Sequence, residues 1–129
     1  MKRKVKVERG ADGYAATFSE RGFTIVGTGN SLAEIEASLQ DGIDSAASIS
    51  TDEDLEYWKQ LRIELSLDVP SIFAYFGTLN VKAFAERIGM NRSLLQQYVS
   101  GKKMPGETQS IRILKGINDL GREYLALKV

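Results

Sequence analysis

"GMNRSLLQQYVSGKKMPG", residues 89–106, decides how this chain is read. A glycine opens it, Asn91 follows as a helix cap, and a short run ends at Gly101 ahead of two lysines. At about 100° per residue, Leu95, Tyr98 and Val99 fall on one side of that helix, with Leu94 at its edge. Ser93, Gln96 and Gln97 fall opposite, and Arg92 sits in the first turn. The outward face therefore carries hydrogen-bonding side chains and no carboxylate. A DNA major groove wants that chemistry: Gln pairs with adenine, Arg with guanine, Ser with either. Lys102 and Lys103 are placed to touch phosphates, and the free amides of the helix start suit another phosphate.

Working outward, "NVKAFAERIG" (80–89) reads as a preceding helix. Asn80 caps it, Val81, Phe84, Ala85 and Ile88 form its apolar stripe, and Gly89 stops it. Small Ala85 lets the next helix cross closely, and apolar Met90 plugs the corner. Asn80 and Lys82 stand where this helix would cross a DNA backbone, which adds them to the phosphate-binding candidates. Beyond the lysines, "TQSIRILKGINDLGREYL" (108–125) reads as a long helix burying Ile111, Leu114, Ile117 and Leu120. The last residues, 125–129, either fray or form a short strand.

The N-terminal half has a different period. Val5 and Val7 alternate, "GADG" turns, and Tyr14, Ala16 and Phe18 resume the alternation, as in a hairpin. "RGFTIVGTG" (21–29) gives a third strand. Its Gly27 and Gly29 form a lone GxG, which reads as a strand end rather than a phosphate cradle. Next comes a helix with Asn30 or Ser31 as cap, Glu34 completing a capping box, and Leu32, Ile35, Leu39 and Ile43 at helical spacing. "STDEDLEYWKQL" (50–61) reads as a short Ser/Thr-capped helix turning Leu55, Trp58 and Leu61 inward. "RIELSLDVP" (62–70) alternates Ile63, Leu65, Leu67 and Val69 and returns as a strand to the N-terminal sheet. Pro70 ends it and can begin the next helix, "SIFAYF".

Composition narrows the function. The chain has 129 residues, no cysteine and no histidine. This removes the thiolate metal site and the commonest general base and metal ligand. No apolar run is long enough to span a membrane, and "MKRKVKVERG" lacks the apolar core of a secretory signal. A soluble cytoplasmic protein without cofactor, without metal and without membrane attachment is expected, and not an enzyme. The net charge of zero is unevenly spread: +3 over residues 1–30, −8 over 31–79 and +5 over 80–129. The positive C-terminal third fits a nucleic-acid partner.

"VKAFAERIGMNRSLLQQYVSGKKMPGETQSIRILKGINDLG" resembles the Cro/C1 (XRE) helix-turn-helix family over roughly residues 68–121. The shared pattern is an Ala on the first helix, a Gly-apolar-polar turn, and a helix ending in Gly-Lys-Lys-x-Pro. Ser100 and Gly106 depart from it, standing where Arg or Asn, and Ser, are frequent. The resemblance implies that Arg92, Ser93 and Gln97 read base edges, with Gln96 more peripheral, and that Asn80, Lys82, Lys102 and Lys103 contact phosphate.

"KVKVERGADGYAATFSERGFTIVGTGNSLAEIEASLQDGIDSA" is similar to the HicB antitoxin domain. That implies a partial RNase H-like β-β-β-α-β unit that binds a HicA-like ribonuclease toxin. It carries no implication of catalysis, because Glu8, Asp12 and Glu20 form no obvious metal-binding set. The expected fold class is α+β, with a partner-binding domain over residues 1–68 and a DNA-binding domain over 69–129. The expected function is an antitoxin-type repressor that binds operator DNA as a homodimer or higher even oligomer. The alternative is a stand-alone regulator whose N-terminal domain dimerises or senses a ligand.

Overall fold

Apolar alternation in four stretches of the first 66 positions builds one sheet, and the 3.6-residue period between the third and fourth of them and after the fourth builds helices. The computed structural model describes residues 1–128. Among these the chain is mixed α+β, with one four-stranded sheet and six helices. It divides into two units, Met1–Leu67 and Asp68–Val129.

In the first unit β1 (Lys2–Gly10), β2 (Gly13–Glu20) and β3 (Phe23–Gly29) run antiparallel in sequence. Helices α1 (Leu32–Ser48) and α2 (Asp52–Gln60) follow, and β4 (Arg62–Ser66) then pairs parallel with β1. The sheet order is β3-β2-β1-β4. The registers Val7 to Ala16 and Phe18 to Ile25 put alternate residues of neighbouring strands on one face. There Val5, Val7, Ala16, Phe18 and Ile25 meet Ile35, Leu39, Ile43 and Ala46 of α1 and Trp58 of α2. Lys4, Lys6, Thr17, Ser19, Thr24 and Val26 line the opposite, open face. Burial follows from the pleat: a shift of one residue would turn the whole apolar set to solvent.

Gly27 and Gly29 have a role the GxG spacing did not reveal. A β-carbon on Gly27 would sit 2.5 Å from Leu39 Cγ and 2.9 Å from the Ile35 carbonyl oxygen. One on Gly29 would sit 2.5 Å from Glu34 Cβ. Gly27 lies within β3 and Gly29 is its last residue, so the pair does mark a strand end, and both let α1 cross the sheet in close contact. Glu34 also holds the start of α1: its N–H donates to Ser31 Oγ at 3.1 Å, and its carboxylate accepts from the Asn30 N–H at 2.9 Å. The box thus reaches one residue further back than the Ser31 cap itself.

The β2–β3 reversal uses Arg21 and Gly22, both at positive φ (52° and 82°). Paired positive values match the right-handed twist of a hairpin but are unfavourable for arginine. Asp54 of α2 holds the Arg21 guanidinium at 2.9 Å, and the Tyr57 ring lies beneath it, 4.4 Å to the ring centre. Glu20 pairs with Arg3. Burial, and then a hydrogen bond to Glu20, raise the Tyr57 hydroxyl above the ordinary phenol value. These contacts tie α2 to the far end of the sheet.

The second unit contains α3 (Val69–Tyr75), α4 (Val81–Ile88), α5 (Arg92–Ser100) and α6 (Glu107–Ala126). Phe73 and Phe84 meet edge to face, 5.7 Å between ring centres, and Leu95, Tyr98 and Ile113 are buried. Three expectations change here. Val69 does not extend the returning strand; it is the first residue of α3, because the Asp68 carboxylate accepts the Ser71 N–H at 2.9 Å and starts a helix. Thr51 precedes α2 but makes no side-chain cap, so the acidic first turn Asp52–Asp54 must supply the favourable dipole interaction. On α6 the buried stripe is Ile113 and Gly116, with Ile117 and Leu120 half-buried. Ile111 and Leu114 are exposed. The turn of the helix is fixed at Gly116, where a β-carbon would lie 2.4 Å from Ile88 Cγ2 and 3.1 Å from Phe84 Cζ.

Candidate nucleic-acid interface

The site begins with the turn between α4 and α5. Gly89 takes φ +68°, a left-handed conformation that glycine adopts without steric cost. Its N–H donates to Glu86 O at 3.2 Å, and the Met90 N–H donates to Ala85 O at 2.9 Å, so the last carbonyls of α4 are satisfied. Met90 is buried in the corner. Asn91 then opens α5 by accepting the Leu94 N–H at 3.1 Å. Gly101, at φ +81°, closes it.

Arg112 of α6 holds this turn from outside. Its Nε and Nη2 donate to Ile88 O at 3.1 and 2.8 Å, and Nη2 donates also to Gly89 O at 2.5 Å. Sequence reading missed Arg112, since nothing local marks a side chain whose partners are main-chain carbonyls more than twenty positions away. Arg112→Met is expected to lower the stability of the second unit by about 1–2 kcal/mol, the worth of charge-assisted hydrogen bonds at an exposed position. Thermal melting checks it, with a fall of roughly 4–8 °C per kcal/mol for a unit of this size. An unchanged midpoint would show that the clamp adds nothing.

The apolar side of α5 buries Leu95 and Tyr98 and half-buries Leu94 and Val99. That leaves Arg92, Ser93, Gln96 and Gln97 exposed together on one nine-residue helix. The Lys103 N–H donates back to Gln97 O at 3.2 Å, which keeps the exposed Lys102–Lys103 loop folded against the helix end. Asn80 and Lys82 stand on a different element, at the start of α4, and both are exposed. The Asn80 carboxamide oxygen is engaged by the Ala83 N–H at 2.9 Å, so only its NH2 group is left for an anion.

The distribution of ion pairs singles out this region. Arg87 pairs with Glu123, Lys115 and Arg122 both pair with Asp119, and Arg112 is spent on carbonyls. Hydrogen bonds from Arg122 and then Lys115 hold the Asp119 carboxyl below the usual carboxylate range. Among the described residues Lys82, Arg92, Lys102 and Lys103 make no ion pair. The positive surplus of the C-terminal third is thus left uncompensated on α5, its trailing loop and the start of α4.

The first unit has the opposite character on its helical side. Glu36, Asp41, Asp44, Asp52, Glu53 and Glu56 are exposed on α1 and α2. No group of three or more acidic side chains among the described residues could hold a metal ion. No helix among the described residues is long and apolar enough to cross a membrane. Compared with family models, with curated proteins and with solved structures, the chain has no match. The chemistry of the site is therefore read from its own residues.

Proposed function

We propose that this chain is a sequence-specific DNA-binding repressor of the antitoxin type, acting without catalysis or cofactor. The observation that carries it is the exposed face of α5: five hydrogen-bonding side chains, Arg92, Ser93, Gln96, Gln97 and Ser100, no carboxylate, and unpaired cations at both ends. In this reading α4 and α5 form a helix-turn-helix unit of the Cro/C1 kind, with α5 in the major groove. Arg92, Ser93 and Gln97 read base edges, with Gln96 at the margin. Lys102, Lys103, Lys82 and the Asn80 amide bind phosphates and set the register. The gel shift of the protein's own upstream region, at two salt concentrations, tests it. Binding should weaken steeply with salt, because displaced counterions drive association. Lys102→Ala should weaken all duplexes about equally and lower the salt slope by about 1 per copy. Salt-independent retention, or none at low salt, would remove the proposal.

The partner side of the function rests on the first unit. Its helical layer carries seven exposed carboxylates, Glu34 included, a complement for a small basic protein such as a HicA-like toxin. Charge reversal at Glu36 and Asp44 in the full chain should abolish protection of cells expressing the neighbouring toxin, while operator binding persists. Full protection by that variant would place partner contact elsewhere.

A further inference from the structure

The strongest unassigned feature is the outer side of α6 and the groove beside it. Six large apolar side chains lie bare there: Ile111 (59% exposed), Leu114 (49%), Tyr124 (64%), Leu125 (81%), Leu127 (74%) and, across the groove, Phe76 (37%). Ile111, Leu114, Asn118, Gly121 and Leu125 fall within about 80° on the helix wheel, so they form one stripe rather than scattered exceptions. Beside it is a groove of about 570 Å³, whose apolar lining includes Phe76, Leu79, Ile117, Leu120, Tyr124 and Leu125. With roughly 200 Å² for a fully exposed large apolar side chain, the six leave on the order of 700 Å² uncovered, close to the ~800 Å² per partner of a standard interface. A soluble surface seldom leaves so much apolar area bare without a partner.

We propose that this face pairs two copies of the chain, each groove receiving the last turn of α6 from the other copy. Three observations select a second copy over another occupant. The same chain offers both a concave part, the groove, and bare apolar side chains at its rim, Leu125 and Leu127, which is the self-complementarity an isologous contact requires. The stripe itself contains no charge; beside it Lys115 and Arg122 share Asp119, which leaves a single positive charge, and Arg122 lines the groove. A border with so little net charge gives no strong pull toward a partner of either sign, and its polar rim around an apolar centre matches interface anatomy. None of the groove residues belongs to α5, so pairing leaves Arg92, Ser93 and Gln97 uncovered. The pairing deepens the DNA-binding proposal, on which its purpose rests: two copies present two α5 helices to two half-sites.

Sedimentation of the full chain at micromolar concentration tests it. Wild type should sediment as a dimer, Leu125→Glu should weaken association about tenfold or more, and Gln97→Ala should remain dimeric. The chain has no cysteine, so a single introduced thiol gives a clean second measurement. Gly121→Cys, midway between Asn118 and Leu125 on the paired face, should cross-link the dimer under oxidation, and Ser93→Cys should not. A dimer with this cross-linking pattern that fails to shift DNA would support the pairing face and remove only the DNA-binding proposal. A monomeric wild type, or a Leu125→Glu dimer as tight as wild type with no Gly121→Cys cross-link, would overturn the pairing face.

Discussion

Replacing Arg92 and Gln97 together by alanine should reduce affinity for the operator by about a thousandfold, to the level of unrelated DNA. Each bidentate base contact discriminates by about 1–3 kcal/mol, and two copies lose each contact twice. Both side chains are exposed, and neither makes a tertiary contact on which folding depends, so the thermal midpoint should stay within the range of ordinary surface substitutions, about ±0.5 kcal/mol. Arg92→Ala alone should relax preference at one base pair and leave the remaining positions intact. Fluorescence anisotropy with operator and scrambled duplexes separates the two effects. Undiminished operator preference in the double variant would place base recognition outside α5. Loss of binding accompanied by unfolding would show that these residues act through structure.

The second large effect concerns the first unit. Gly27→Val should unfold it. The added β-carbon meets the Ile35 carbonyl oxygen at 2.9 Å as well as Leu39 Cγ at 2.5 Å, and the carbonyl belongs to a helix that cannot yield without leaving the sheet. Overpacking of this kind costs about 1–3 kcal/mol and more when backbone must move. A unit of this size has only about 3–10 kcal/mol to lose, at roughly 0.05–0.15 kcal/mol per residue. Amide hydrogen exchange on the full chain is the direct measurement: protection in β1 to β4 and α1 should collapse. Val26→Ala, on the open face next door, should change little. Native-like protection in Gly27→Val would mean that α1 does not sit as close to β3 as described.

Local chemistry made much of the fold legible in the sequence. Asn80, Asn91, Ser31, Gly89 and Gly101 each act on neighbours within four residues, so helix starts and stops were visible without tertiary information. The same is true of the outward face of α5, because one helix wheel decides it. Tertiary choices were less visible. The stripe expected on α6, Ile111, Leu114, Ile117 and Leu120, advances by three residues at each step. Three such steps rotate by about 180° around the helix, so those four cannot share one face. The helix has apolar residues on several sides, and the contact of Gly116 with Ile88 and Phe84 chooses among them. Gly27 and Gly29 were legible as the end of a strand but not as the place where α1 crosses, because a missing side chain looks alike in both. Arg112 was invisible because its acceptors are carbonyls.

If α5 reads DNA as proposed, its shortness sets how much information one copy can extract. Nine residues at 1.5 Å each span about 13 Å, the length of roughly four stacked base pairs. A four-letter word recurs by chance about every 256 positions, which in a chromosome of millions of base pairs means thousands of decoys. Reading two such words at fixed spacing lengthens the interval to about 65,000 positions, so the number of decoys falls to tens. Silencing a single promoter with so brief a helix is therefore a matter of counting copies as well as of contacts.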